Sequence, residues 1–299
     1  MAVLCRQEYY WKQQYWHFKC LVGIIPLLKL CAVHLPRKTK VKLDSKIRIA
    51  AVSYLNTLPL LYGIEHSSII SKIDLKSDYP SKIAQWLIDG EVDMGLVPVA
   101  VIPQLPQSYI VSDYCIGADG AVSSVCMFSE VPAEEIKTVI LDYQSRTSNE
   151  LAQVLLKDYW KISPDIIYSQ EEYRRQISGT TAGVVIGDRA FEQKTISKYH
   201  FDLGEAWKHL TGLPFVFAAW ISNKPMTEDF IKEFNKANAF GIKHISEVIN
   251  TIENKFGIDL NQYFSRNIQY QLDDDKREAL QKFLQMSQSF NAEPLFERS

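Results

Sequence analysis

Phe215–Ile221 reads FVFAAWI and Val122–Phe128 reads VSSVCMF. Both runs are short, apolar and strand-like. They bracket residues 129–214, which carry a strand–helix series of their own. Thr138–Asp142 reads as a strand, Ser148–Trp160 as a helix, Asp165–Tyr168 as a strand, Glu171–Ile177 as a helix and Gly183–Gly187 as a strand. Ahead of the first run, Lys46–Val52 (KIRIAAV) reads as a strand, and a helix opens near Pro59, where the missing N–H costs nothing. Ser81–Asp89 reads as a helix with Ile83, Trp86 and Leu87 on one face and Gly90 as its stop. Asp93–Val97 follows as a strand, and Pro98 starts a short helix. Past Phe215 the pattern is almost wholly helical, from Thr227 to about Phe290.

Strands alternating with helices predict an α/β protein with largely parallel sheets. The two apolar runs are read as crossings between lobes. The expected layout is an outer lobe of residues 46–128 and 215–290, an inner lobe of 129–214, and a ligand cleft between them. Residues 1–45 are read as an extension and 291–299 as a tail.

Hydrophobic residues at 46% and charged residues at 23% exclude a disordered chain. Residues 1–42 hold eight Lys or Arg against one acid, Glu8, a net of +7; the remainder therefore carries −9 within the overall −2. A body this acidic excludes a broad nucleic-acid face. An anionic ligand must be held by a few placed donors. The five cysteines (Cys5, Cys20, Cys31, Cys115 and Cys126) lack C-x-x-C spacing, and no His-rich ligand pair occurs, so neither disulfides nor a metal is expected. Cys115 and Cys126 sit in apolar runs and are expected to be buried. The apolar stretch Cys20–Val33, broken by Pro26 and Lys29, is too short to span a bilayer. It is followed by no A-x-A cleavage site, and the extension is read as following from a start codon set upstream, with the protein cytoplasmic.

Four polar runs lie where α/β sheets bind ligands, beyond strand ends. Ser53-Tyr54-Leu55-Asn56-Thr57 precedes a helix, and Asn56 or Thr57 can serve as its N-cap. Asp142–Ser148 contains Thr147 and Glu150 at capping-box spacing. Its Ser145-Arg146-Thr147-Ser148 also suits a carboxylate, through free N–H groups, the helix dipole and a guanidinium. Gly117–Ser124 enters the first crossing with the hydroxyls of Ser123 and Ser124. Gly187-Asp188-Arg189 ends a strand, and Asp188 can cap the next helix.

Together these runs resemble the chorismate dehydratase family of bacteria. The resemblance rests on S-Y-L-N-T-L-P-L (Ser53–Leu60), G-L-V-P-V-A (Gly95–Ala100), the Gly117–Val125 turn, D-Y-Q-S-R-T-S (Asp142–Ser148), I-G-D (Ile186–Asp188), and D-L-G-E-A-W with T-G-L-P-F-V-F-A-x-W (Asp202–Trp220). It covers roughly residues 46–290 in consistent order and not residues 1–42. It implies a type II periplasmic-binding-protein fold. It also implies dehydration of chorismate to 3-[(1-carboxyvinyl)oxy]benzoate, the first step of the futalosine route to menaquinone, by a carbon–oxygen hydro-lyase without cofactor or metal. The sister dihydroxynaphthoate synthase, whose opening motif is rich in Ser, Pro and Cys, is the weaker match. A solute-binding protein for a small anion is the alternative of another class.

On this resemblance, Arg146, Thr147 and Ser148 are expected at one carboxylate of the dianionic substrate. Ser53, Asn56 and Ser124 are expected at the second carboxylate or the leaving hydroxyl, with Tyr54, Thr57 and Ser123 also binding. Asn56 and Asp188 are the expected catalytic residues. The base is either a carboxylate, Asp188 or Asp119, or a carboxylate of the substrate held by Asn56. No site turn contains a histidine.

Overall fold

The computed structural model describes residues 46–288, so the expectations for residues 1–45 and 291–299 fall outside the described residues. In chain order the first four strands are β1 (Ile47–Val52), β2 (Ile73–Asp78), β3 (Met94–Pro98) and β4 (Tyr109–Ala118). The chain then crosses to β5 (Val125–Ser129), β6 (Thr138–Leu141), β7 (Asp165–Tyr168), β8 (Thr181–Ile186) and β9 (Tyr199–Asp202). It returns through β10 (Phe215–Ser222) and ends its strands at β11 (Gln269–Gln271). One sheet has the order β11-β4-β10-β3-β1-β2 and the other β7-β6-β8-β5-β9. The result is the expected two-lobed α/β fold.

Both sheets are mixed rather than largely parallel. β1 pairs in parallel with β2 and β3, but β10 runs antiparallel to β3 and β4. β6 pairs in parallel with β7 and β8, whereas β5 runs antiparallel to β8 and β9. Of the antiparallel members, β5 and β10 are the strands that arrive from the other lobe, while β11 runs antiparallel to β4. Every residue of β10 is buried, because it lies between β3 and β4 in its sheet. That is why FVFAAWI reads as an unbroken apolar run. The lobe boundary needs a correction. Val125–Ser129 pairs with β8 and β9 of the inner sheet, so the outer lobe's first segment ends ahead of it and not at residue 128.

The helices are α1 (Leu58–Glu65), α2 (Pro80–Ile88), α3 (Thr147–Asp158), α4 (Asp188–Lys194) and α5 (Leu203–Thr211). After β10 come α6 (Glu228–Lys243), α7 (Ile245–Asn250), the short α8 (Leu260–Gln262) and α9 (Asp274–Ser287). α1 carries the Ser53–Thr57 turn on its N-terminal side and crosses α6 at two glycines. A Cβ on Gly63 would run into the Ala237 carbonyl, and one on Gly241 into that of Pro59. The expected helix at Glu171–Ile177 is only a short 3-10 turn, Arg174–Gln176. Glu172 accepts the Arg174 N–H at 3.0 Å and its Nε at 2.9 Å, a local bond that competes with helix continuation. Cys115 and Cys126 are free and buried, as expected. Among the described residues no helix is long and apolar enough to cross a membrane.

Candidate functional site

The outer lobe brings its first polar turn off the end of β1. The Ser53 N–H still pairs with the Asp78 carbonyl at 3.3 Å, and its side chain is exposed. No side chain caps α1, so the N-cap expectation for Asn56 and Thr57 is not met. The fully buried Thr57 hydroxyl instead donates to Asn56 Oδ1 at 3.2 Å, and the Tyr270 hydroxyl donates to the Asn56 carbonyl at 2.9 Å. Asn56 Oδ1 is thereby occupied, while Nδ2 has no partner among the described residues. A donor is left for a ligand oxygen.

The inner lobe supplies Asp142–Ser148, off the end of β6. The capping box predicted for Thr147 and Glu150 does not form. α3 has no side-chain cap, because Thr147 Oγ1 accepts the Ala100 N–H of the outer lobe at 3.1 Å. Ser145 Oγ accepts the Ser148 N–H at 3.1 Å in its place. Arg146 reaches across to two neutral acceptors of the outer lobe, Gln104 Oε1 at 2.7 Å and Gln85 Oε1 at 3.0 Å. It forms no salt bridge among the described residues, and Glu150, one turn along α3 and lining the same cavity, supports its charge. Burial lowers its pKa, opposed by Glu150 and then Asp89.

Ser123 and Ser124 sit on the crossing between β4 and β5. Asp202 holds this crossing by accepting the N–H groups of Val122 at 3.1 Å and Ser123 at 2.6 Å while it caps α5. Ser123 has φ of 65°, a left-handed conformation fixed by those bonds. Ser124 is fully buried; its carbonyl accepts the Gly187 N–H at 2.8 Å, and its Oγ accepts from the Tyr263 hydroxyl at 2.9 Å. Asp119 lies on the same crossing but makes no bond to these groups among the described residues. It is exposed and pairs with Lys208 at 2.6 Å, which removes it as a candidate base.

The fourth run closes the site. Asp188 does not cap α4. Its Oδ1 accepts the Leu55 N–H at 3.1 Å across the cleft, and Oδ2 has no partner among the described residues. Burial raises the Asp188 pKa, and the Leu55 N–H opposes that rise. The adjoining Arg189 binds the fully buried Asp142 at 2.6 and 2.8 Å. Burial works against the guanidinium charge, but Asp142 outweighs it and lifts the Arg189 pKa above its ordinary value.

Five of the ten predicted residues sort into two places. Asn56, Thr57, Ser124 and Asp188 gather around the Leu55–Asp188 contact. Arg146 lines a separate cavity of about 740 Å³ between α2 and the Tyr143–Asn149 segment, and that cavity includes neither Asn56 nor Asp188. Gln144 links the two groups: its side chain receives the Tyr54 hydroxyl, while its neighbours Tyr143 and Ser145 line the cavity. No motif or spacing marked Tyr263 or Tyr270, which lie in the stretch read as helical. Gln144 and Arg189 stood inside quoted motifs, but nothing in their spacing marked them as lobe-bridging or buried.

The sequence profile of the menaquinone biosynthesis family matches residues 47–289. The chain belongs to this family. Curated proteins similar to it include a chorismate dehydratase of Thermus thermophilus, 25% identical over 77% of this chain and 91% of that protein. A chorismate dehydratase of Campylobacter jejuni is also 25% identical, over 80% of this chain and 97% of that protein. Among solved structures, a protein of Archaeoglobus fulgidus superposes with a TM-score of 0.66 at 14% identity, covering 83% of this chain and 98% of that one. The periplasmic aliphatic sulphonate binding protein of Escherichia coli gives 0.53 at 13% identity, covering 85% and 94%. At such identities these structures speak for the fold alone, and that fold is the periplasmic-binding-protein fold that the resemblance implied.

Proposed function

We propose that this chain is a chorismate dehydratase, a hydro-lyase that converts chorismate to 3-[(1-carboxyvinyl)oxy]benzoate and water. The supporting observation is membership of the menaquinone biosynthesis family over residues 47–289, with chorismate dehydratases among its similar members. The reaction takes the ring proton beside the ether and the neighbouring hydroxyl. The C–H electrons become a ring double bond, hydroxide leaves, and the proton departs with it as water. Aromatisation supplies the driving force, so the protein has to orient the substrate such that hydroxide leaves and enolpyruvate stays.

In this reading Arg146, with Thr147 and Ser148 behind it, attracts one substrate carboxylate from the cavity beside Gln144, the residue that adjoins both groups. Asn56 Nδ2 and the Ser53, Ser123 and Ser124 hydroxyls serve the second carboxylate and the departing hydroxyl. Asp188 exchanges the proton: one oxygen is fixed by Leu55, the other is unpartnered, and burial brings its pKa toward the range useful for proton transfer. The pathway is the futalosine route and the location cytoplasmic, as suits a biosynthetic enzyme acting on a central metabolite. Incubation of purified protein with chorismate, followed by mass spectrometry, tests the assignment. The expected product is one water lighter. Bound chorismate without product would make the protein a binder, and no binding would reject the substrate and the site together.

A further inference from the structure

Tyr54 was expected to touch substrate, yet its surroundings belong to the opposite lobe. Its ring lies against Gly187, so closely that a Cβ there would sit 2.7 to 2.9 Å from three ring atoms. Gly187 has φ of 63° and ψ of −150°, a region essentially confined to glycine. The seat thus depends on glycine twice, for its backbone and for the space above it. The Tyr54 hydroxyl donates to Gln144 Oε1. Gln144 is itself tied down, its Nε2 donating to the Tyr143 hydroxyl at 2.9 Å and its N–H to Asp142 at 2.9 Å. The ring is therefore held at its face and at its tip by inner-lobe groups. The next residue in the chain, Leu55, gives its N–H to Asp188, the next residue after Gly187. Two consecutive residues of one lobe are zipped against two consecutive residues of the other.

We propose that Tyr54 is a positioning residue and not a substrate ligand: seated on Gly187, it brings the Leu55 N–H to Asp188 Oδ1 and so fixes the carboxylate that exchanges the proton. This rests on the role given to Asp188 above. Inter-lobe clefts of this kind admit ligand by hinge opening, which must unseat Tyr54 and free Asp188. On closure the tyrosine and the carboxylate are set together, so the proton-transfer group is in register only when the cleft is shut.

Two measurements test it, one independent of turnover. Hydrogen exchange of the Leu55 amide is followed in wild type, Tyr54→Phe, Tyr54→Ala and Gly187→Ala. Tyr54→Ala and Gly187→Ala are expected to speed exchange by about tenfold or more, while Tyr54→Phe, which keeps the ring, changes it far less. Unchanged exchange in Tyr54→Ala would overturn the proposal. In kinetics, Tyr54→Ala is expected to lower kcat by about 10²-fold with KM almost unmoved. A raised KM with kcat retained would make Tyr54 a substrate ligand after all. Should the wild type leave chorismate intact, the dehydratase reading falls, and Leu55 exchange still decides what Tyr54 holds.

Discussion

The Tyr263 hydroxyl donates to Ser124 Oγ at 2.9 Å inside the closed core behind the crossing. Burial pushes the Tyr263 phenol well above its ordinary value, so it stays protonated and acts as a donor. With its oxygen lone pair engaged, Ser124 has its own proton left to give. Tyr263 begins a π-helical turn, Tyr263–Asn267, a geometry often found beside functional sites. Tyr263→Phe should keep the packing against Phe191 and release Ser124 from this orientation. The expected loss is about tenfold in kcat/KM, with the thermal midpoint lowered only slightly. Wild-type kinetics would show that the Ser124 proton has no task.

Arg146 is held by two neutral carboxamides, Gln85 and Gln104, each from the other lobe. A lysine keeps the charge but cannot hold both oxygens with one planar fork. Arg146→Lys should raise KM for chorismate by about tenfold. Gln104→Ala should move KM in the same direction by less. Steady-state kinetics on both variants checks the order.

Asp188 gives a pH signature. Its pKa is raised by burial, so a role as proton acceptor requires activity to climb as pH rises through that elevated value. Asp188→Asn should abolish turnover, leave chorismate binding close to normal, and remove that limb of the profile. A variant that still turns over would transfer the proton to the substrate's own carboxylate, with Asn56 holding it. Asn56→Ala should be severely slowed under either assignment.

Stability at low pH should follow Asp93. Burial works against this carboxylate, but Arg48 and Lys224, each 2.8 Å away, outweigh it and hold its pKa at about 2 against an ordinary 3.8. A carboxyl depressed in the folded state stabilises above its unfolded value and loses that contribution as pH falls through the folded one. The half-exposed partners reduce the effect to about 1–2 kcal/mol. Asp93→Asn should lower the urea midpoint at pH 6, and the gap to wild type should shrink at pH 2.5.

Gly241→Ala should destabilise by about 3 kcal/mol, since the added methyl meets the Pro59 carbonyl and not a yielding side chain. Because α1 carries the Ser53–Thr57 turn, activity should fall before the fold is lost. Thermal unfolding and kinetics on the same preparation separate the two effects.

The two-lobed α/β layout was legible in local runs of sequence, but not where the first lobe ends. Buried central strands such as β10 and β5 are apolar throughout, and a local run of residues carries that signal in full. Of the strands the local pattern left unread, β2, β9 and β11 are edges of their sheets with few buried side chains or very short runs, while β4 lies inside its sheet but opens on exposed residues that break the apolar run. Their pairing comes from neighbours distant in the chain. The polar turns were legible as motifs, but their partners were not. Thr147 and Asp188 both satisfy the local rule for helix caps, yet each spends its oxygen on an N–H of the opposite lobe, Ala100 or Leu55. Local spacing reports only on bonds within one segment. Which donor meets which acceptor across the cleft, and that Tyr54 rests on Gly187, was decided by how the two sheets are brought together in space.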